Sequence, residues 1–387
     1  MRSFLKALLS AAEKAALIAR ACRKEKDLFK LLIEEKVGDD KNAKFTVDFK
    51  TLADVLIQET IRHDLSLQYP GLAENIKGEE SNMFTNTLNE TIKVKVGDTE
   101  QETSALLYKV LDRNQVAADL LSKQVHFDTS QLSDDVQADL KQVPDSNFNV
   151  DGLGIWIDPI DSTNNYITGC SQVSRAVIGD QEIVSKGLQV VTVLIGVYDR
   201  HTGEPVIGIV HQPFAEHNEE TNSWRGQVYW GVNYQGERYH SSSLKSCSPK
   251  ESGPTNFEDT HRIIVSSTEP PSLTDKLKDK FVLLLWEVIV LSGAGYKLLC
   301  VARGWAKYYI TERASTYRWD SCAPHAILRS LGGGCLNYSQ RGNKTEVNYD
   351  KPNDGVVAGI AQWSNAGGLL AYQSQTDLDT ILTHLDG

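Results

Sequence analysis

The sequence has little that would let it act through cysteine pairs, a membrane or bulk positive charge. Its six cysteines, Cys22, Cys170, Cys247, Cys300, Cys322 and Cys335, are scattered without paired metal spacing. That argues against a zinc ribbon or a disulfide-stapled scaffold and predicts reduced thiols in a cytoplasmic protein. No apolar run is long enough to span a bilayer. The opening Met1–Cys22 stretch carries Lys6, Glu13, Lys14 and Arg20, so it has no signal-peptide core. Lys and Arg number 40 against 51 Asp and Glu, a formal net charge of -11. This balance argues against nucleic acid as a partner. A polyanionic substrate has to be attracted locally, by metal ions and a few basic side chains. No Ser or Cys nucleophile stands beside an evident base, so no covalent intermediate is expected.

What is present is an ordinary globular composition, 41% hydrophobic and 24% charged over 387 residues, enough for two lobes. The chain turns on the stretch Gly154–Tyr166. Ile155, Trp156 and Ile157 read as a buried strand. Pro159 cannot donate to a sheet ladder, so the strand is predicted to end near Asp158. Asp158 and Asp161 then share one tight turn. Two carboxylates so close repel unless a cation lies between them, and hard oxygen ligands suit Mg²⁺. Ser162, Thr163 and Asn164 are good helix N-cap residues. A helix starting there would turn backbone N–H groups toward an anion beside the metal.

Around this turn, residues 3–36 read as a first helix and 46–65 as a second, which carries Asp54. Glu79 and Glu80 follow a short strand, and their side chains are expected to point to opposite faces. The polar segment 81–150 reads as a surface insertion, partly over the site, with helical signals at 110–121 and 132–140. Strands are predicted at 188–198, 206–210, 227–232 and 237–240, mostly antiparallel. Residues 241–260 have the composition of a linker. A boundary near 258 then separates an N-terminal lobe (1–258) from a C-terminal lobe (259–387), with the site between them. In the second lobe a new strand starts at 261–266, Gly293-Ala294-Gly295-Tyr296-Lys297 is a small-residue turn leading into a helix, 306–310 is a strand, and Trp319-Asp320 begins the next helix.

Three separated motifs carry a resemblance. Asp158-Pro159-Ile160-Asp161-Ser162-Thr163, Gly78-Glu79-Glu80-Ser81 and Trp319-Asp320-Ser321-Cys322-Ala323-Pro324-His325-Ala326 together resemble the lithium-sensitive, magnesium-dependent phosphomonoesterases, the inositol monophosphatase and fructose-1,6-bisphosphatase superfamily. The resemblance runs from the first helix nearly to the C-terminus. It implies an α+β layered αβαβα sandwich. It also implies two or three Mg²⁺ ions held by Glu79, Glu80, Asp158, the Ile160 carbonyl, Asp161 and Asp320, and inhibition by Li⁺. Asp54, Glu79 and Thr163 are implied to orient the attacking water. Asp161, Ser162, Thr163, Gly293, Ala294 and Lys297 are implied to line the substrate pocket, with Lys297 facing a phosphate that is not cleaved. One departure stands out: Arg313 occupies the position, seven before Asp320, where the family commonly has Glu, with Glu312 beside it. That points to recognition of a different ring substituent, or to Glu312 in the role. His325 reads as packing.

By its length, its insertion, Phe49-Lys50-Thr51-Leu52-Ala53-Asp54 and Gly293-Ala294-Gly295-Tyr296-Lys297, the chain resembles a branch of the family that takes inositol polyphosphates. This resemblance implies a small-molecule inositol polyphosphate substrate that loses its 1-phosphate, and a monomer or weak oligomer. A 3'(2'),5'-bisphosphate nucleotidase and a catalytically silent inositol-phosphate or metal-binding protein are the alternatives.

Overall fold

The computed structural model describes residues 1–24, 32–36, 49–145, 148–169, 174–178, 181–247, 262–281, 286–356 and 359–386. Two sheets organise them. The first has six strands: β1 (Ile76–Gly78), β2 (Leu153–Asp161), β3 (Thr192–Asp199), β4 (Pro205–Asn218), β5 (Ser223–Tyr234) and β6 (Glu237–His240), in spatial order β6-β5-β4-β3-β2-β1. Only the β1–β2 pair is parallel. The second sheet holds β7 (Arg262–Val265), β8 (Glu287–Val290), β9 (Tyr308–Thr311), β10 (Gly334–Asn337) and β11 (Leu369–Tyr372), in order β8-β7-β9-β11-β10.

Helices fill the layers between and outside the sheets. Helices Arg2–Lys24 and Leu52–Gln68 pack on each other and cover one face of the first sheet. Helix Arg318–Leu331 covers the other face and packs on helix Ala294–Ala302. The second sheet alternates as pleating requires. Ile264, Tyr309, Cys335 and Ala371 turn toward the two central helices. Ile263, Val265, Ile310 and Leu370 turn outward to Leu273, Leu277, Leu378 and Ile381 of the outer helices Pro271–Phe281 and Gln375–Asp386. This is the five-layer αβαβα sandwich implied by the motifs.

A row of glycines seats the central helix. Gly208 of β4 lies opposite Gly196 of β3 on one side and Gly231 of β5 on the other. A Cβ at Gly208 would fall 1.8 Å from the Ala323 carbonyl oxygen, and one at Gly196 would fall 2.6 Å from the Ala323 amide nitrogen. Backbone therefore meets backbone, and the first turn of the helix, with Asp320, is fixed against the sheet.

Several boundaries differ from the sequence expectations. The first helix ends at Lys24, and Ile33–Glu35 is a strand paired with Phe49–Thr51, so the helix does not reach 36. The second helix starts at Leu52, capped by Thr51. The helical signal at 110–121 is split by a turn at Leu111–Asn114, where Asp112 and Arg113 have positive φ. Leu188–Val190 is a 3-10 turn, and the strand begins only at Thr192. The segment 81–150 is not a mere surface excursion. Phe84, Val94, Leu107, Val110, Leu121 and Val125 are buried in one core with the first helix, because apolar residues at helical spacing outweigh a polar average. The lobe boundary near 258 lies outside the described residues, as does most of the proposed linker.

Candidate metal centre

The strand β2 delivers the first acids. It does not stop at Asp158. Pairing with β3 resumes at Asp161↔Thr192 after an irregularity that contains Pro159, the kind of interruption a residue without an N–H tolerates. Ser162 then adopts a left-handed backbone (φ 74°) and the short helix Thr163–Thr168 follows. Left-handed backbone is unfavourable for a residue with a Cβ and persists where surroundings enforce it. Ser162 does not cap the helix with its side chain, contrary to expectation; its Oγ accepts from Asn165 Nδ2 at 2.7 Å. Thr163 Oγ1 donates to the Ile160 carbonyl at 3.1 Å.

Helix Arg318–Leu331 brings the third acid. Asp320 sits in its first turn, where one oxygen accepts from the Tyr317 amide at 2.5 Å and the helix dipole favours negative charge. One ligand oxygen from each of Asp158, Asp161 and Asp320 lies within 4.8 Å of the others, and all three residues are buried. Asp158 Oδ1 is buried with no hydrogen-bond partner. Burial, reinforced by Glu79, Asp161 and Asp320, pushes the Asp158 carboxyl well above the usual range. Burial raises Asp320 in the same way, with Asp161 and Glu79 adding to it. Asp161 is pushed up by burial to about 6, less far because Lys297, the Gly295 amide and the Thr192 hydroxyl favour its charged form. Three buried carboxylates with an orphaned oxygen fit a hard divalent cation.

The glycine turn is committed to this centre. Ala294 N donates to Asp161 Oδ1 at 3.2 Å and Gly295 N to Asp161 Oδ2 at 2.9 Å. Gly293 has φ 76°, and a Cβ there would lie 2.8 Å from the Val190 carbonyl oxygen. The turn thus orients an acid at the centre, and the Ala294 amide is already engaged.

A second cluster stands beside the first. Glu79 and Glu80 follow β1, whose Glu79 amide donates to the Ile157 carbonyl at 3.1 Å. Gln58, buried in helix Leu52–Gln68, reads the Glu80 backbone twice, accepting from its N–H at 3.0 Å and donating to its C=O at 2.6 Å. Gly78 makes room for that clamp, since a Cβ there would fall 1.9 Å from Gln58 Oε1. The two glutamates do not point to opposite faces as expected. Both reach Lys36 Nζ, at 2.7 Å from Glu79 and 2.6 Å from Glu80. Burial pushes the Glu80 carboxyl up to about 8 against the opposing Lys36 charge. Asp54 Oδ2 accepts from the Thr51 amide at 2.7 Å and its hydroxyl at 2.5 Å, while Oδ1 is buried without a partner. Burial raises Asp54 to about 7. No hydrogen bond among the described residues joins Asp54 to Thr163; Asp54 is tied to Thr51 instead.

Lys297 is not the partly screened surface lysine its sequence context allows. It is buried, its Nζ donates to Ser266 Oγ at 2.5 Å, and it lies 4.8 Å from the Tyr309 ring centre. Burial lowers it to about 8, with Asp161, Glu269 and Asp320 favouring its charge. Glu269 in turn accepts from Thr311 Oγ1 at 2.6 Å and from the Glu312 amide at 3.2 Å. The Glu312 and Arg313 side chains are exposed on this turn. His325 is fully buried and hydrogen-bonded to the Tyr349 hydroxyl at 3.0 Å, a packing role. Lys36, Gln58, Ser266 and Glu269 were missed by the sequence reading.

Comparison with known proteins accords with this geometry. A profile of the inositol monophosphatase family matches residues 57–378. The inositol polyphosphate 1-phosphatase of Mus musculus is 44% identical over 100% of this chain and 97% of its own length; that of Homo sapiens is 43% identical with the same coverage. The 3'(2'),5'-bisphosphate nucleotidase 1 of Rattus norvegicus is 25% identical over 94% of this chain and 89% of its own. Among solved structures, the extragenic suppressor protein suhB of Bartonella henselae superposes with a TM-score of 0.50 at 13% identity, covering 99% of this chain and 98% of that one; this likeness speaks to the fold alone.

Proposed function

The chain belongs to the inositol monophosphatase family, and from that premise we propose that it is a phosphoric monoester hydrolase removing the 1-phosphate of inositol polyphosphates, such as inositol 1,4-bisphosphate and inositol 1,3,4-trisphosphate, in phosphatidylinositol signalling. The observation that carries the reading is the convergence of Asp158, Asp161 and Asp320 within 4.8 Å in a chain so similar to named 1-phosphatases over its whole length.

Asp158, Asp161 and Asp320, with Glu79 and the Ile160 carbonyl, are the groups proposed to hold Mg²⁺. Bound there, the metal would neutralise the phosphoryl oxygens and supply an acidified water. The side chains divide the remaining work. Asp161, held by three donors, keeps one orientation throughout, which is what positioning catalysis requires. Thr163, with Asp54 or Glu79 behind it, is proposed to align the attacking water. Lys297, desolvated and backed by Ser266, offers a buried positive charge to a phosphate that stays on the ring. Water is the attacking group, so no side-chain nucleophile is needed; the P–O bond to the ring breaks, and the leaving oxygen takes a proton from solvent.

Li⁺ inhibition belongs to the same reading, through occupation of a Mg²⁺ position once product phosphate is bound. We propose a cytoplasmic location, in line with the buried free thiols of Cys22, Cys322 and Cys335; no helix among the described residues is long and apolar enough to cross a membrane.

The test is phosphate release from inositol 1,4-bisphosphate, inositol 1-phosphate, 3'-phosphoadenosine 5'-phosphate and fructose 1,6-bisphosphate, with Mg²⁺ and with chelator. The inositol bisphosphate should be fastest and the chelator should abolish release. A preference for the nucleotide would replace this reading with the nucleotidase one. No release from any substrate would point to a silent binding protein.

A further inference from the structure

Lys36 has no place in the reaction as set out above, yet its position is highly specified. Its side chain is 3% exposed. Its ammonium lies 2.7 Å from Glu79 Oε1, a charge-assisted hydrogen bond, and forms an ion pair with Glu80 Oε1 at 2.6 Å. The strand Ile33–Glu35 anchors it by pairing Ile33 with Thr51, the residue that also holds Asp54. Gln58 and Gly78 fix the Glu79–Glu80 backbone from the other side. Asp54, fully buried and with Oδ1 unpartnered, is within electrostatic range of the same ammonium. Two carboxylates thus hold the lysine directly, and a third feels its charge.

We propose that the Lys36 ammonium occupies a cation position of its own, and that it does so in place of a further divalent ion. The inference rests on the metal reading of the Asp158–Asp161–Asp320 centre. The two cations exclude each other. The oxygens of Glu79 and Glu80 would have to close to about 2.1 Å around Mg²⁺, a volume the ammonium now fills, and two positive charges would share one set of ligands. Glu79 belongs to both clusters, since its charge is felt at Asp158 and Asp320. Lys36 therefore leaves Glu79 able to serve the metal centre while it keeps Glu80 neutralised. The number of ions bound is set by this lysine, and Glu80 serves as its counter-ion.

Equilibrium Mn²⁺ binding to the full chain, followed by the EPR signal of the free ion, tests this without reference to turnover. Lys36→Met should bind one more Mn²⁺ per chain than the wild type, and Lys36→Arg should bind the same number as the wild type. Equal binding by Lys36→Met and wild type overturns the proposal. Absence of Mn²⁺ binding by every protein overturns the metal reading as well, a distinguishable outcome. Should Lys36→Met fail to fold, Lys36→Gln, which keeps a polar side chain between the two glutamates, takes its place and should likewise bind one more Mn²⁺ than the wild type. Equal binding by Lys36→Gln and wild type overturns the proposal.

Discussion

Replacing Asp158 by Asn should stabilise the metal-free protein while disabling the enzyme. Asp158 is 1% exposed, its Oδ1 has no partner, and Glu79, Asp161 and Asp320 surround it with like charge. A buried group left uncompensated costs about 1–3 kcal/mol. Asn keeps the shape and removes the ionisation, so the metal-free variant should gain about that much at pH 8. For a chain of this length that is a rise of about 1–4 °C in Tm. The sign follows from linkage. A carboxyl raised by burial keeps its proton when folded but loses it when unfolded, so its destabilising effect sets in as pH rises above the unfolded value and grows until the folded value is reached. The gain should therefore be large at pH 8 and shrink at pH 5. Mg²⁺ should raise the Tm of the wild type at pH 8 and barely move the variant. Loss of one metal ligand should remove several kcal/mol from the transition state, a drop in kcat of about a thousandfold. The assay is calorimetry in chelator and in Mg²⁺ at both pH values, beside phosphate release. A variant less stable than wild type in chelator at pH 8, or one with near-native turnover, refutes the reasoning.

Other outcomes follow from the same geometry. Gly78→Ala should dislodge the Gln58 clamp, because the new Cβ would fall 1.9 Å from Gln58 Oε1; overpacking of this kind costs about 1–3 kcal/mol, and a raised Mg²⁺ half-saturation in activity titrations should accompany the lower Tm. Lys297→Met should raise KM for a bisphosphate about thirtyfold, equivalent to about 2 kcal/mol for a buried charge contact, with a smaller effect on kcat; an unchanged KM would show that no substrate phosphate meets it. Li⁺ should inhibit more strongly as substrate concentration rises, read from initial rates over a grid of both, and relief by excess substrate would contradict trapping of a product complex.

The acids that converge are legible in the sequence because each stands in a compact local signal. Asp158 and Asp161 end an apolar strand around a proline, and Asp320 opens a helix. Their partners are not legible, because they come from distant segments. Lys36 lies 43 residues from Glu79 and Gln58 lies 22 from Glu80, and a lysine or glutamine in isolation gives no hint that burial awaits it. Ser266 and Glu269 look like the end of a strand and a turn, and only the fold places them against Lys297 and Thr311. The layer order came from the family resemblance of the three motifs, not from local strand and helix signals. The row Gly196, Gly208 and Gly231 was not, since its meaning depends on strand register. Helix limits were the weakest reading, because Glu34 and Glu35 continue a helical composition into what pairing with Phe49–Thr51 makes a strand.

The most direct test of the central claim is ³¹P NMR of inositol 1,4-bisphosphate incubated with the full chain and Mg²⁺. The account predicts that the 1-phosphate resonance alone decays, with inorganic phosphate and inositol 4-phosphate appearing together, and that nothing changes in chelator. Loss of the 4-phosphate, or release that persists in chelator, would contradict it.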